Sequence, residues 1–313
     1  MPDQTKRDAS YTEIDADDAA EAADLKDPRE RGPKPEFPQS PIAPPGLDSQ
    51  MNPPADHGEK SYVGTGRLKD RVALITGGDS GIGRAVAIAF AREGAHVVIS
   101  YLNEEPDAQE TARWVREAGR QVLTIAGDIS EEAHCRQLIE RTVAEFGRID
   151  ILINNAAFQR TYSGIQEISA QEWDYTFRTN IYAMFYLSKA ALAHMEPGGA
   201  IVNTSSIQSY QPDASLLAYA TTKGAITNFT KALAEEAAKQ GVRVNAVAPG
   251  PIWTPLIPST MNPEKVKQFG KDTPLGRPGQ PAELAPIYVL LASDAGSYVT
   301  GQIYGVTGGD PLI

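Results

Sequence analysis

Cysteine is almost missing from this 313-residue chain and histidine is scarce, with one Cys and four His. A single cysteine, Cys135, excludes an intramolecular disulfide and suits a reducing compartment. It is expected to be a small helix residue without chemistry of its own. His57, His96, His134 and His194 are scattered without ligand spacing, so no metal is assigned. Basic charge is also in deficit. With 29 Lys/Arg against 40 Asp/Glu the net charge is −11, and no basic stripe offers itself to nucleic acid. No apolar stretch reaches the roughly 18 uncharged residues that a bilayer crossing needs. The first residues, MPDQTKRDASYTEIDADD, hold no apolar signal core, so the expected location is the cytoplasm.

What is present divides the chain in two. Residues 1–60 contain 14 Asp/Glu against 7 Lys/Arg, and 10 of the 23 prolines. Such a segment buries too little apolar surface to offset its ordering entropy. Residues 1–62 are therefore expected to be an acidic, proline-rich and largely irregular extension, with at most a weak helix in 1–27 and an extended arm beyond it. From residue 63 to 313 apolar runs alternate with amphipathic stretches. Strands are predicted near 72–76, 96–101, 122–127, 150–154, 200–205, 243–248 and 303–306. Helices are predicted near 82–93, 107–119, 131–146, 171–195, 215–240 and 281–292. Near-continuous apolar strands indicate a parallel sheet covered on both faces. The expected class is α/β: a doubly wound, Rossmann-type, seven-stranded parallel sheet in one domain, preceded by the arm.

The most telling stretch is Thr76-Gly77-Gly78-Asp79-Ser80-Gly81-Ile82-Gly83. It follows the apolar run Val72-Ala73-Leu74-Ile75 and opens a helical pattern. Glycines let the backbone turn sharply and approach a pyrophosphate, whose charge then faces the helix N-terminus. Farther on, Tyr219 and Lys223 are spaced to stack on one helix face. A cation beside a phenol favours the phenolate, so Lys223 is expected to lower the Tyr219 pKa. Ser206 follows the apolar run Ala200–Ser205, at the strand end that faces a ligand crevice. Asn154-Asn155-Ala156-Ala157 ends another strand, and Asn245–Thr254 ends one in a Pro-Gly turn.

Together these residues resemble the short-chain dehydrogenase/reductase family over roughly 66–313. The resemblance implies cofactor contacts from the glycine turn (Thr76, Gly77, Asp79, Ser80, Gly81, Ile82, Gly83), from Asp128 and Ile129 near the adenine, and from Asn155, Ala156 and Ala157. It adds the nicotinamide loop Pro249, Gly250, Ile252 and Thr254. Ala157 stands where the family usually has glycine. Ser206, Tyr219 and Lys223 match the catalytic trio, and Asn180 matches the asparagine that holds a relay water. Gly58–Gly64, Gly66–Arg71, Ser205–Gln208 and Ala248–Trp253 are similar to a subgroup of bacterial general stress proteins and plant glucose/ribitol dehydrogenase homologues, which has been linked to aldehyde reduction. The implied reaction interconverts an aldehyde or ketone and its alcohol. Alternatives are a sugar or polyol dehydrogenase and a non-catalytic stress protein that keeps the cofactor fold.

An acid at the end of the second strand would bond the ribose 2′-hydroxyl of NAD and repel a 2′-phosphate. Here that position is Tyr101, followed by Leu102 where NADP-preferring relatives often carry arginine. Either NAD or NADP is expected, leaning slightly to NADP. Trp253, Gln208 and Tyr210 are candidate substrate-pocket residues, and Met261–Thr273 a mobile lid. Relatives are usually tetramers, and Ala183-Met184-Phe185-Tyr186-Leu187 is rich in large apolar residues for a solvent face. A homotetramer is expected, with residues 28–62 ordered as a strap able to cross a neighbouring subunit and 1–27 mobile.

Overall fold

The computed structural model describes residues 26–313. The expectations for residues 1–25 lie outside the described residues. In chain order the main elements are β1 (Val72–Thr76), α1 (Gly81–Arg92), β2 (His96–Tyr101), α2 (Glu105–Glu117), β3 (Val122–Ala126), α3 (Glu132–Phe146) and β4 (Ile151–Asn154). Next come α4 (Ala170–Phe177), α5 (Ala183–Leu192), β5 (Ala200–Thr204), α6 (Leu217–Ala237) and β6 (Arg243–Pro249). The short α7 (Leu256–Thr260) and α8 (Pro263–Lys267), then α9 (Pro281–Ala292) and β7 (Ile303–Val306), complete the body.

The strands form one seven-stranded sheet in the order β3-β2-β1-β4-β5-β6-β7, and every pairing is parallel. This is the doubly wound sheet that the sequence pattern predicts. Side chains alternate across a strand, so β1 feeds two cores. Ala73 and Ile75 join α1, α2 and α9 on one face, while Leu74 joins α3, α5 and α6 on the other. Because both faces are covered, the central strands are apolar throughout rather than alternating. The order reverses at β1 and β4, and that is where a crevice opens beyond the carboxyl ends.

Two local departures matter for the site. The helix expected over 171–195 is interrupted: a π turn at Arg178–Tyr182 separates α4 from α5. Wide turns of this kind recur at functional positions, and this one carries Asn180. The described part of the arm packs against its own chain. Phe37 and Met51 are buried at 3% and 6% exposure in a cluster with Trp253, Ile257 and Val266. Its described part is irregular apart from short 3-10 turns at Pro28–Glu30 and Asp48–Gln50.

Candidate active site

The crevice is a cavity of about 370 Å³. Its first wall is the turn between β1 and α1. Gly77 and Gly81 have φ of +59° and +50°, in the left-handed region that glycine reaches at least cost. At Gly83 a Cβ would lie 1.8 Å from the Gly77 carbonyl oxygen, so only glycine lets α1 sit this close to the turn. Gly77, Asp79, Ser80, Gly81 and Ile82 line the cavity. Thr76 and Gly83 do not line it but shape it: Thr76 Oγ1 accepts the amides of Asn155 and Ala156 at 3.0 and 3.1 Å.

The second wall comes from strand ends. Tyr101, Leu102, Asp128, Ile129, Asn155, Ala156 and Ala157 all line the cavity. Ala157 is not among the residues with positive φ, so its Cβ is carried without backbone strain. The Asn155 side chain donates to the Thr76 and Gly77 carbonyls at 3.1 and 3.2 Å, tying β4 to the glycine turn. On the far side Pro249, Gly250, Ile252 and Thr254 close the groove.

At the inner end Ser206, Tyr219 and Lys223 come together. Ser206 is the extended residue two positions past β5; its hydroxyl accepts the Gln208 amide at 3.1 Å and lies beside the Tyr219 phenol in the cavity lining. Lys223, one turn along α6, is 2% exposed, with Nζ 5.2 Å from the Tyr219 ring centre and donating to the Thr204 carbonyl at 2.7 Å. The expected depression of the phenol pKa is not found. Burial pushes Tyr219 up to about 12 against the opposing pull of the Ser206 hydroxyl, and the same burial pushes Lys223 down to about 7. Desolvation of the charged forms outweighs their attraction here.

Asn180 lies behind this group rather than on the cavity wall. Its Oδ1 accepts the Phe158 amide at 2.7 Å, and its Nδ2 donates to the Phe158 carbonyl and to Thr222 Oγ1, both at 3.0 Å. Both amide hydrogens are thus committed to protein partners. Gln208 lines the cavity as expected, whereas Trp253 and Tyr210 do not. Trp253 turns outward to stack on Phe37 at 4.2 Å and to donate to the Pro53 carbonyl at 2.8 Å. The segment expected as a lid contributes Met261 and Phe269 to the cavity, but the arm holds it from outside. Phe37 N–H donates to the Lys267 carbonyl at 3.1 Å, and Lys267 pairs with Glu36.

Sequence reasoning missed several lining groups. Pro45 and Gly46 arrive from the arm, and no local pattern marks them. Ser100 and Glu104 flank the end of β2, each with a buried oxygen, Oγ and Oε1, that has no protein partner. Those orphaned oxygens and the glycine-permitted turn leading into α1 fit a bound dinucleotide with sugar hydroxyls and a pyrophosphate. Glu104 also acts on Asp79. Burial first, then the Glu104 charge, raises the Asp79 carboxyl to about 7. Tyr101, which replaces the usual acid, is buried and bonds Glu105 with its hydroxyl. Among the described residues no group of His, Cys, Asp or Glu has metal-holding geometry, and no helix is long and apolar enough to cross a membrane. Cys135 is fully buried, its thiol pushed up to about 12 by burial.

The profile of the family described as "Enoyl-(Acyl carrier protein) reductase" matches residues 77–310. General stress protein 39 of Bacillus subtilis is 52% identical over 85% of this chain and 93% of its own length. NADPH-dependent aldehyde reductase 1, chloroplastic, of Arabidopsis thaliana is 47% identical over 85% and 95%. The glucose and ribitol dehydrogenase homolog of Oryza sativa is 46% identical over 87% and 96%. Among solved structures, a short chain dehydrogenase from Burkholderia cenocepacia in complex with NADP superposes with a TM-score of 0.73 at 30% identity, covering 78% of this chain and 98% of that one. A 3-ketoacyl-(acyl-carrier-protein) reductase from Brucella melitensis complexed with NADH gives 0.71 at 32%, covering 77% and 98%.

Proposed function

The chain belongs to the short-chain dehydrogenase/reductase family of NAD(P)-dependent oxidoreductases, and on that premise we propose that it interconverts an aldehyde or ketone with its alcohol, with Tyr219 as general acid and base. The observation that carries this reading is the Ser206–Tyr219–Lys223 group at the inner end of a dinucleotide-shaped groove. When bound, the nicotinamide supplies or accepts the hydride. The glycine turn, Asp128 and Ile129 would hold the adenosine end and the pyrophosphate. Asn155, Ala156, Ala157, Lys223 and the Pro249–Thr254 loop would hold the nicotinamide end.

For reduction, the hydroxyls of Ser206 and Tyr219 would orient the carbonyl oxygen. A phenol held up at about 12 is protonated at neutral pH, which is the form a proton donor needs. As the proton leaves, the nearby Lys223 ammonium stabilises the phenolate. Asn180 keeps α4, α5 and α6 in register through Phe158 and Thr222. Both its amide hydrogens are bonded to protein, so its role is to position these elements.

The substrate end is walled by Phe158, Leu216, Ile257, Met261 and Phe269. The polar side chains there are engaged within the protein: Gln208 accepts the Asp213 amide at 2.7 Å, and Gln159 donates to Thr260 at 3.0 Å. An apolar carbonyl compound suits this wall better than a polyol, though Gln208 and Gln159 keep a sugar dehydrogenase as the second reading. Either cofactor is accepted, leaning to NADP. The working assembly is a cytoplasmic homotetramer: Trp173, Tyr182 and Phe185 are 37%, 41% and 45% exposed, an aromatic face to be covered by another subunit. Oxidation of NADPH and NADH against a panel of aldehydes, ketones and sugars tests the reading. Turnover confined to sugars favours the second; no turnover of any member with either cofactor defeats both.

A further inference from the structure

The arm reaches the groove from outside at both of its rims. Near the nicotinamide loop, Phe37 lies flat on Trp253 and Pro53 receives the indole N–H, so the loop that carries Ile252 and Thr254 is backed by arm residues. Between the rims, Pro45 and Gly46 enter the cavity wall. Gly46 has φ of +96°, and a Cβ there would lie 3.0 Å from the Pro255 carbonyl oxygen, so the arm fits at this point only as glycine. At the other rim, Asp48 Oδ2 accepts the Gly81 amide at 3.1 Å, at the first residue of α1.

Asp48 is itself anchored in a buried charge network. Its amide donates to Asp107 at 2.8 Å, and its carboxylate lies 3.3 Å from Arg84 and 3.2 Å from His57. His57 in turn meets Glu59 at 3.0 Å, and Arg84 meets Asp107 at 3.2 Å. A carboxylate at the start of α1 sits beside the amides that would face a pyrophosphate. Left unbalanced it would repel that anion; His57 and Arg84 offset it.

We propose that residues 37–59 are a clasp that completes the dinucleotide site, with Gly46 in its wall and Asp48, balanced by His57, as a positioning residue for the glycine turn. The proposal rests on the cavity being the dinucleotide site. By holding both rims, the clasp slows release as well as raising affinity. Neither the glycine turn nor the nicotinamide loop is held in place by the sheet alone.

The test is NADPH dissociation, followed by stopped-flow loss of energy transfer from protein tryptophan, with equilibrium titration and melting curves alongside. Phe37→Ala and His57→Gln should each raise the NADPH dissociation rate and Kd by about tenfold, the scale of one lost charge-assisted bond or buried anchor. Tyr62→Phe removes the arm's bond to Glu93 (2.7 Å) away from the cavity and should lower the melting temperature without changing release. Unchanged release in folded Phe37→Ala and His57→Gln, with a lower melting temperature, would show the arm to be a brace and overturn the clasp. Hydrogen exchange on the unaltered chain is an independent arm of the test. NADPH should slow exchange in peptides spanning residues 45–59, and equal exchange with and without NADPH overturns the proposal. A wild-type chain that binds neither NADPH nor NADH would defeat the cavity reading itself, and the clasp with it.

Discussion

Lys223 stands 5.2 Å from the ring centre of Tyr219, yet its hydrogen bond goes to the Thr204 carbonyl at 2.7 Å. The main chain at the end of β5, not the phenol, fixes the ammonium. Tyr219→Phe should therefore leave Lys223 in place and the ring packed, removing only the transferable proton. Turnover should fall by about 10²–10⁴-fold, the usual contribution of general acid–base catalysis. Cofactor affinity should stay near wild type. Steady-state kinetics beside an NADPH titration check this; a Tyr219→Phe enzyme with wild-type turnover would remove the phenol from the chemistry. Lys223→Ala should damage both turnover and cofactor affinity, because one ammonium faces both.

Cofactor choice should depend on pH. Asp79 lines the groove and titrates near 7, its carboxyl raised by burial and by Glu104. Above pH 7 it is charged and disfavours a 2′-phosphate; below, it is neutral and can donate a hydrogen bond. The ratio of NADP to NAD efficiency should rise as pH falls from about 8.5 to 6.5 in the wild type and should be flatter in Asp79→Asn. Leu102→Arg, at a 40% exposed position on the same wall, should shift the ratio toward NADP by about tenfold. A flat wild-type profile that Asp79→Asn leaves unchanged would clear Asp79 of any role in discrimination.

The aromatic face on α4 and α5 leads to an assembly prediction. Trp173 lies 4.9 Å from Phe177 on α4, and Phe185 lies 5.6 Å from Tyr186 on α5, so each helix presents a pair of packed rings with one member exposed. Phe185→Glu should lower the mass seen by light scattering without loss of helix signal in circular dichroism, since the side chain is about half exposed in the single chain. An unchanged mass would move the interface elsewhere.

The sheet and the catalytic cluster were legible because their signals are local. Val72–Ile75 is apolar on both faces and runs straight into glycines; Tyr219 and Lys223 announce themselves by one helical turn. The arm was not legible in the same way. Its role is set by contacts such as Pro53 with Trp253, 200 residues apart, which no periodicity encodes. For the same reason Trp253 looked like a pocket residue, although its ring turns to the partner that Phe37 provides. The π turn was hidden too, because the residues 171–195 carry an unbroken helical pattern with no proline or glycine to mark it. The Tyr219 pKa went the other way because spacing reports a neighbouring charge but not the depth of burial.

Stability should fall at high pH through one residue of the arm. Burial works against a charged His57, but the adjacent carboxylates of Asp48 and Glu59 outweigh it and raise its pKa to about 9. A folded pKa above the unfolded value near 6.5 means stabilisation that is complete below about pH 6.5 and lost as pH rises through about 9. The shift corresponds to about 3 kcal/mol for this buried group, or a fall of roughly 5 °C in melting temperature. Glu59, depressed to about 2 by its bond to His57 against the cost of burial, contributes in the opposite sense and weakens only in strong acid. Melting curves from pH 6 to 10 should therefore place His57→Gln below the wild type near pH 6 and bring the two together as pH rises through about 9; the opposing rise from Lys223, held down at about 7 by burial, is common to both and drops out of the difference. Deleting residues 1–60 should remove the same pH-dependent contribution, since it removes Asp48, His57 and Glu59 together. A gap between wild type and His57→Gln that stays constant from pH 6 to 10 would place the titrating group elsewhere and leave the Asp48–His57 contact as packing alone.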